Sequence, residues 1–227
     1  QPLSLSSLTE VLRNRQVRPL CICSLLAFPT VFTLQTVLGK KFLQDFGGLS
    51  SSGAAACVLA MTITSVCSVA LGGSLPRLFD ERRRPPIRGG AIPFALTVCL
   101  LLAAVLSDAP GWVFPVGYVM LAVTGLSMPS STSAMRELSR PGTVAMCIAV
   151  LNGLSYVACG TVGQVGGLIL DQFRDAARKT VSGTVIYPKE AYAAFFAFLS
   201  VLAVVNLLSA WQVPETRGIQ QFREQDT

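Results

Sequence analysis

Residues Gly72 to Gly90 read GGSLPRLFDERRRPPIRGG. Five arginines, Arg77, Arg82, Arg83, Arg84 and Arg88, fall within twelve residues, with Asp80, Glu81, Pro85 and Pro86 among them and Pro76 just before. On either side lies a long apolar run without a charge. A soluble protein spreads its charges along amphipathic elements. Here they form a knot between segments long enough to cross a bilayer.

The rest of the chain repeats that contrast. Of 227 residues, 52% are hydrophobic and 13% charged, with a mean hydropathy of +0.57. Globular domains carry about 25% charged residues, so the composition is that of an integral membrane protein. The net charge is +6. In a membrane protein that excess belongs to cytoplasmic loops rather than to a nucleic-acid surface. The seven cysteines all lie in apolar runs and there is no histidine, so they read as small buried residues. No secretory signal pattern opens the chain. A start at Gln1 is what a fragment or a processed product would show.

Taken in order, residues 1–18 form a basic linker or surface helix, with Ser7-Leu8-Thr9-Glu10 as its cap. Six spans follow at about 19–39, 53–75, 90–107, 112–135, 143–170 and 191–213, and residues 214–227 form a polar tail. Each has the roughly 18–25 apolar residues that a crossing helix needs. Strand alternation is absent, which argues against a barrel. The fold class is therefore all-α, a polytopic membrane protein of six transmembrane helices. An even number puts both termini on one side. Twelve basic residues collect there, against six on the other side, so the positive-inside rule makes the termini and the knot cytoplasmic.

All twelve acids fall outside these spans, leaving no carboxylate at mid-depth to relay a proton. Among the polar residues inside are Gln35 in the first span, grouped with Phe28 and Phe32, Tyr118 in the fourth, and Asn152, Tyr156 and Gln164 in the fifth. They either bond between helices or line a cavity. Gln35, Phe32, Tyr118, Asn152, Tyr156 and Gln164 are the cavity candidates. The second and fifth spans are rich in small residues, among them Gly163 and Gly167, and call for close packing against a neighbour within the bundle or against a second bundle. Pro29, Pro93, Pro115 and Pro129 interrupt spans, and the hydroxyls after Pro129 can satisfy backbone groups that a bend frees.

Three stretches resemble the major facilitator superfamily. Gly73 to Pro85 resembles the glycine–aspartate–arginine motif between the second and third helices of each half. Val213 to Gly218, VPETRG, resembles the PETKG-type motif after the last helix. Thr33 to Gly39 and Phe42 to Ser50 resemble the first helix and following loop of bacterial members related to sugar-phosphate permeases. The likeness covers roughly residues 15–218 and points to the C-terminal half of such a transporter. The knot departs from the pattern in its late Asp80 and in an arginine where the family has a glycine.

The resemblance implies twelve helices in two halves, a solute site between them near mid-membrane, and alternating access by rocking. The first and fourth spans would line the cavity, and the second and fifth would face the other half. Gly73, Arg77, Asp80, Arg82, Arg83 and Arg84 of the knot, with Glu215 and Arg217 of the tail motif, would make a gate, Asp80 and Arg82 to Arg84 latching helix ends. The expected function is secondary active transport of a small polar organic solute, as a symporter or antiporter. The alternative is a non-transporting subunit of a larger membrane assembly. The expected partners are the lipid bilayer, an N-terminal six-helix half in the same polypeptide or a separate chain, and the solute. The expected location is a bacterial inner (plasma) membrane. No glycine-rich phosphate loop, metal cluster or nucleophile–base pair occurs, so neither an enzyme, a cofactor, a metal nor nucleic acid is expected.

Overall fold

A computed structural model describes residues 14–179 and 185–221. The Ser7–Glu10 cap, most of the expected surface helix and Arg223 lie outside the described residues. Six helices are long and apolar enough to cross a membrane: Arg18–Val37, Ser51–Gly72, Arg84–Leu106, Val113–Leu138, Val144–Asp171 and Lys189–Gln212. Ordinals below refer to these six spans.

Their ends follow from local chemistry. The second span is capped by Ser50, whose Oγ accepts from the Gly53 amide at 3.1 Å. The third begins at Arg84 rather than near Gly90. Pro85 and Pro86 fit its first turn, where no backbone donor is needed. The Glu215 carboxylate accepts from the amides of Arg83 (2.7 Å) and Arg84 (3.3 Å), placing a negative charge at the positive end of the helix. The run of arginines is thus partly helical, and the third span, short in sequence, is a full 23 residues.

Two spans are broken. The first passes from α-helix (Arg18–Phe32) into a π turn (Thr33–Val37), and a separate helix, Gly39–Asp45, continues where a polar loop was expected. A Cβ on Gly39 would stand 1.6 Å from the Leu34 carbonyl oxygen and 2.8 Å from the Tyr118 ring, so only glycine permits this closure. The fourth span runs as α-helix (Val113–Ala122), 3-10 turn (Val123–Ser127) and α-helix (Met128–Leu138), with Pro129 opening the last segment. Side-chain hydroxyls satisfy its carbonyls: Thr124 donates to Leu121 O (2.7 Å), Ser127 to Thr124 O (2.9 Å) and Ser131 to Ser127 O (3.0 Å).

The core has two parts. Away from the knot, Phe42, Phe114, Tyr118, Tyr192 and Phe196 form an aromatic cluster joining the helix Gly39–Asp45 to the fourth and sixth spans. At the knot end a smaller cluster gathers Leu20, Cys21, Ile87, Met135, Cys147 and Ala210. Outside the aromatic cluster, Asp45 accepts from Lys41 Nζ (2.6 Å) and from the Tyr192 hydroxyl (2.9 Å). Lys41 also donates to Val185 O in the short antiparallel strand pair Arg178–Lys179 and Val185–Ile186. Burial, reinforced by its hydrogen bond to Asp171, holds the nearby Tyr187 phenol above its ordinary pKa.

Coverage is uneven. Half of the third span and 44% of the sixth are buried, against 22% of the second and 17% of the fifth. On the fifth, a Cβ added at Gly153, Gly160 or Gly167 would meet open space, whereas one at Gly166 would strike Phe195 at 2.7 Å. Only part of the small-residue pattern is used inside this bundle.

Candidate solute-binding cavity and the charged cluster beside it

A cavity of about 330 Å³ lies beside Asn152 and Tyr156, both exposed on the fifth span. Its walls come from the first span (Leu20 to Val31), the fourth (Leu121 to Met135) and the fifth (Ile148 to Tyr156), with smaller contributions from the other three. No Asp, Glu, Lys or Arg lines it among the described residues. Most of the surface is aliphatic. Polar character comes from the hydroxyls of the broken fourth span and from Ser24, Asn152, Ser155, Tyr156 and Asn206.

Several of these groups are already engaged. Asn206 Nδ2 donates to Cys23 O at 2.9 Å and ties the sixth span to the first. Thr124, Ser127 and Ser131 spend their protons on their own helix but keep acceptor capacity. Asn152 and the Tyr156 hydroxyl have no hydrogen-bond partner among the described residues and face open space. The Tyr156 ring stands edge-on to Phe28 at 5.6 Å and to Phe32 at 6.5 Å, which fixes its direction at the rim.

The six expected cavity residues therefore separate. Asn152 and Tyr156 line the cavity, and Phe32 supports the Tyr156 ring. Gln35 lies off the wall and donates to Thr62 Oγ1 at 2.5 Å, joining the first and second spans. Tyr118 is fully buried in the aromatic cluster, not on the wall, and its hydroxyl lacks a partner among the described residues. Gln164 is exposed on the fifth span, away from the cavity. The π turn explains Gln35, because the extra backbone residue rotates it off the face of Phe28. Asn206, in the sixth span, joins the wall although its sequence surroundings carry no cavity signal, whereas the hydroxyls after Pro129 fall where the bend in the fourth span is expected.

Beside the cavity, at the knot end, Arg83 makes a forked contact with Glu137, Nε to Oε1 at 3.0 Å and Nη2 to Oε1 at 2.7 Å, with each side chain only 11% exposed. The hydrogen bond to Glu137 raises the Arg83 pKa further, so the guanidinium stays charged. Thr216 Oγ1 donates to the same carboxylate, and the Gln221 amide donates to Glu137 O at 2.8 Å. Arg84 Nε donates to Val213 O at 2.7 Å. This cluster joins the third span, the fourth span and the tail.

Of the eight residues expected at a gate, Arg83, Arg84 and Glu215 enter this cluster. Asp80 and Arg82 are exposed and make no side-chain hydrogen bond among the described residues, as are Arg77 and Arg217. Asp80 (φ 52°) and Glu81 (φ 58°) instead form a left-handed turn between the helix Leu75–Leu78 and the third span. Gly73 ends the second span. Glu137, at a position the sequence assigns to a loop, reaches this cluster because the fourth helix runs to Leu138, three residues past its apolar stretch, and carries the acid to a buried helix end.

Six helices around an uncharged cavity, with one face left bare, have the fold of one half of a major facilitator superfamily transporter. The inward-open xylose transporter XylE from E. coli superposes with a TM-score of 0.67 and 17% identity, over 92% of this chain and 49% of that chain. The proton:xylose symporter XylE bound to 6-bromo-6-deoxy-D-glucose gives a TM-score of 0.64 and 17% identity, over 88% of this chain and 45% of that chain. The chain spans about half the length of the structures it resembles. No family model matches the sequence, and no curated protein matches it.

Proposed function

We propose that this chain is the C-terminal half of a secondary active transporter that moves a small, polar, uncharged organic solute by alternating access. The observation that carries the reading is the cavity of about 330 Å³, uncharged and lying beside Asn152 and Tyr156 on the fifth span. A charged solute entering such a site would leave its charge unpaired in a low-dielectric wall, at a cost of several kcal/mol. An uncharged polyol fits, with hydroxyl acceptors along the fourth span and Asn152 as a two-way amide. The sugar bound by XylE is in that class. The fit is poorer for phosphate esters, for which the sugar-phosphate-permease likeness would call.

A second six-helix half, in the same polypeptide or another chain, closes the cavity against the second and fifth spans. Arg83, Glu137, Glu215 and Thr216 hold the knot-end helix tips together during the rocking motion, on the cytoplasmic side of a bacterial inner membrane. No acid, lysine or arginine lies at mid-depth in the described spans, so any coupling proton is carried by the other half. That same feature is the observation favouring a non-transporting subunit.

The test is uptake into proteoliposomes by the whole assembly, over panels of neutral and anionic solutes. Saturable uptake of a neutral solute, with KM raised about tenfold by Asn152→Ala, supports the proposal, one well-placed buried hydrogen bond accounting for that factor. Transport of anionic solutes alone, or unchanged kinetics in Asn152→Ala, contradicts it. Absence of any uptake from the complete assembly favours the structural subunit.

A further inference from the structure

We propose that the seam between the third and sixth spans at the knot end binds an anionic glycerophospholipid, with its phosphate on the Arg88 guanidinium and an acyl chain along Ile92, Leu96 and Leu100. Arg88 differs from its neighbours in the knot. Arg83 is neutralised by Glu137 and Glu81. Arg88 pairs with no carboxylate among the described residues: Nη2 donates to Trp211 O at 3.0 Å, the guanidinium lies 5.0 Å from the Trp211 ring centre, and Nε is buried without a partner. Its charge is therefore fixed in direction and lacks a counterion. Glu215, the nearby acid of the tail, is already committed to the amides of Arg83 and Arg84.

The surroundings are those of a membrane interface. Trp211 is half exposed, and an indole with one wet edge settles at headgroup level. From Arg88 an exposed ladder of Ile92, Leu96 and Leu100 runs along the third span at four-residue spacing, and Val201, Val204 and Leu208 are exposed on the sixth span, which packs against the third. Twelve residues of helix rise about 18 Å. One leaflet of a hydrocarbon core is about 15 Å deep. A cation at one end of an apolar strip of that length matches a phosphodiester joined to an acyl chain. The second and fifth spans also expose aliphatic side chains, Leu59, Ile63, Val66 and Val157 among them, but neither carries an arginine or lysine to hold a phosphate.

Arg88 also bonds a carbonyl in the last turn of the sixth helix, and a purely structural cap is the competing role. The protein, purified in full, is placed in nanodiscs of mixed phosphatidylglycerol and phosphatidylcholine and analysed by native mass spectrometry. Retention of phosphatidylglycerol over phosphatidylcholine should fall about fivefold in Arg88→Gln, the share expected of one interfacial arginine. On the unaltered protein, phosphatidylglycerol with a photoreactive acyl chain should label residues 89–100 and 204–212, which decides the matter even if Arg88→Gln does not fold. Unchanged preference in a folded Arg88→Gln, or labelling spread over all six spans, overturns the proposal and leaves Arg88 as a cap. Loss of labelling on adding inorganic phosphate overturns the lipid assignment in favour of a free anion site.

Discussion

Arg83 and Glu137 lie 54 positions apart in the chain, yet each is the principal polar partner of the other. Removing one member of a buried pair strands the other's charge, and at this partly wetted helix end Glu137→Ala should cost about 2–3 kcal/mol. Asp80→Gly should cost less than about 0.5 kcal/mol, since the side chain is exposed and glycine suits its left-handed backbone. Thermal unfolding of the two variants in the same detergent checks this. Equal losses, or a larger one for Asp80→Gly, would contradict this ranking. The knot's importance was legible from its charge density. Which arginine is buried was not, because that depends on where a distant helix ends.

At the scale of elements, the six apolar runs are legible because a bilayer demands length and hydropathy, which a linear chain displays directly. The breaks inside them are not. Gly39 looks like any helix-end glycine until the chain closes on the Leu34 carbonyl. Gly39→Ala should therefore disrupt the π turn and the Gln35–Thr62 bond with it, read as a loss of folded protein on size exclusion. The fifth span supplies an internal control. Gly166→Leu collides with Phe195 and should destabilise the chain by about 1–3 kcal/mol. Gly160→Leu meets only open space here, so the bundle should unfold at the unaltered temperature, while in the proposed two-half assembly association with a second half should be lost. If Gly160→Leu leaves that association intact, the fifth span does not face the partner.

For the whole molecule, the third and sixth spans are well covered while the second and fifth are largely bare, as expected of a bundle built to meet another. The cavity was less legible than the fold. Periodicity put Phe28, Phe32 and Gln35 on one face, but the π turn directs Gln35 to Thr62, and tertiary packing draws Tyr118 into the aromatic core. Asn152 and Tyr156 reach the cavity because the fifth span is regular there, so their four-residue spacing survives folding.

Alternating access through this cavity is tested most directly by placing a single cysteine at Asn152 in a background lacking the native cysteines. The assembly is sealed into vesicles of each orientation and exposed to a membrane-impermeant maleimide. Alternating access predicts labelling from either side, with a transported solute protecting the position from both. Labelling from one side only, or labelling indifferent to every solute transported, would contradict it.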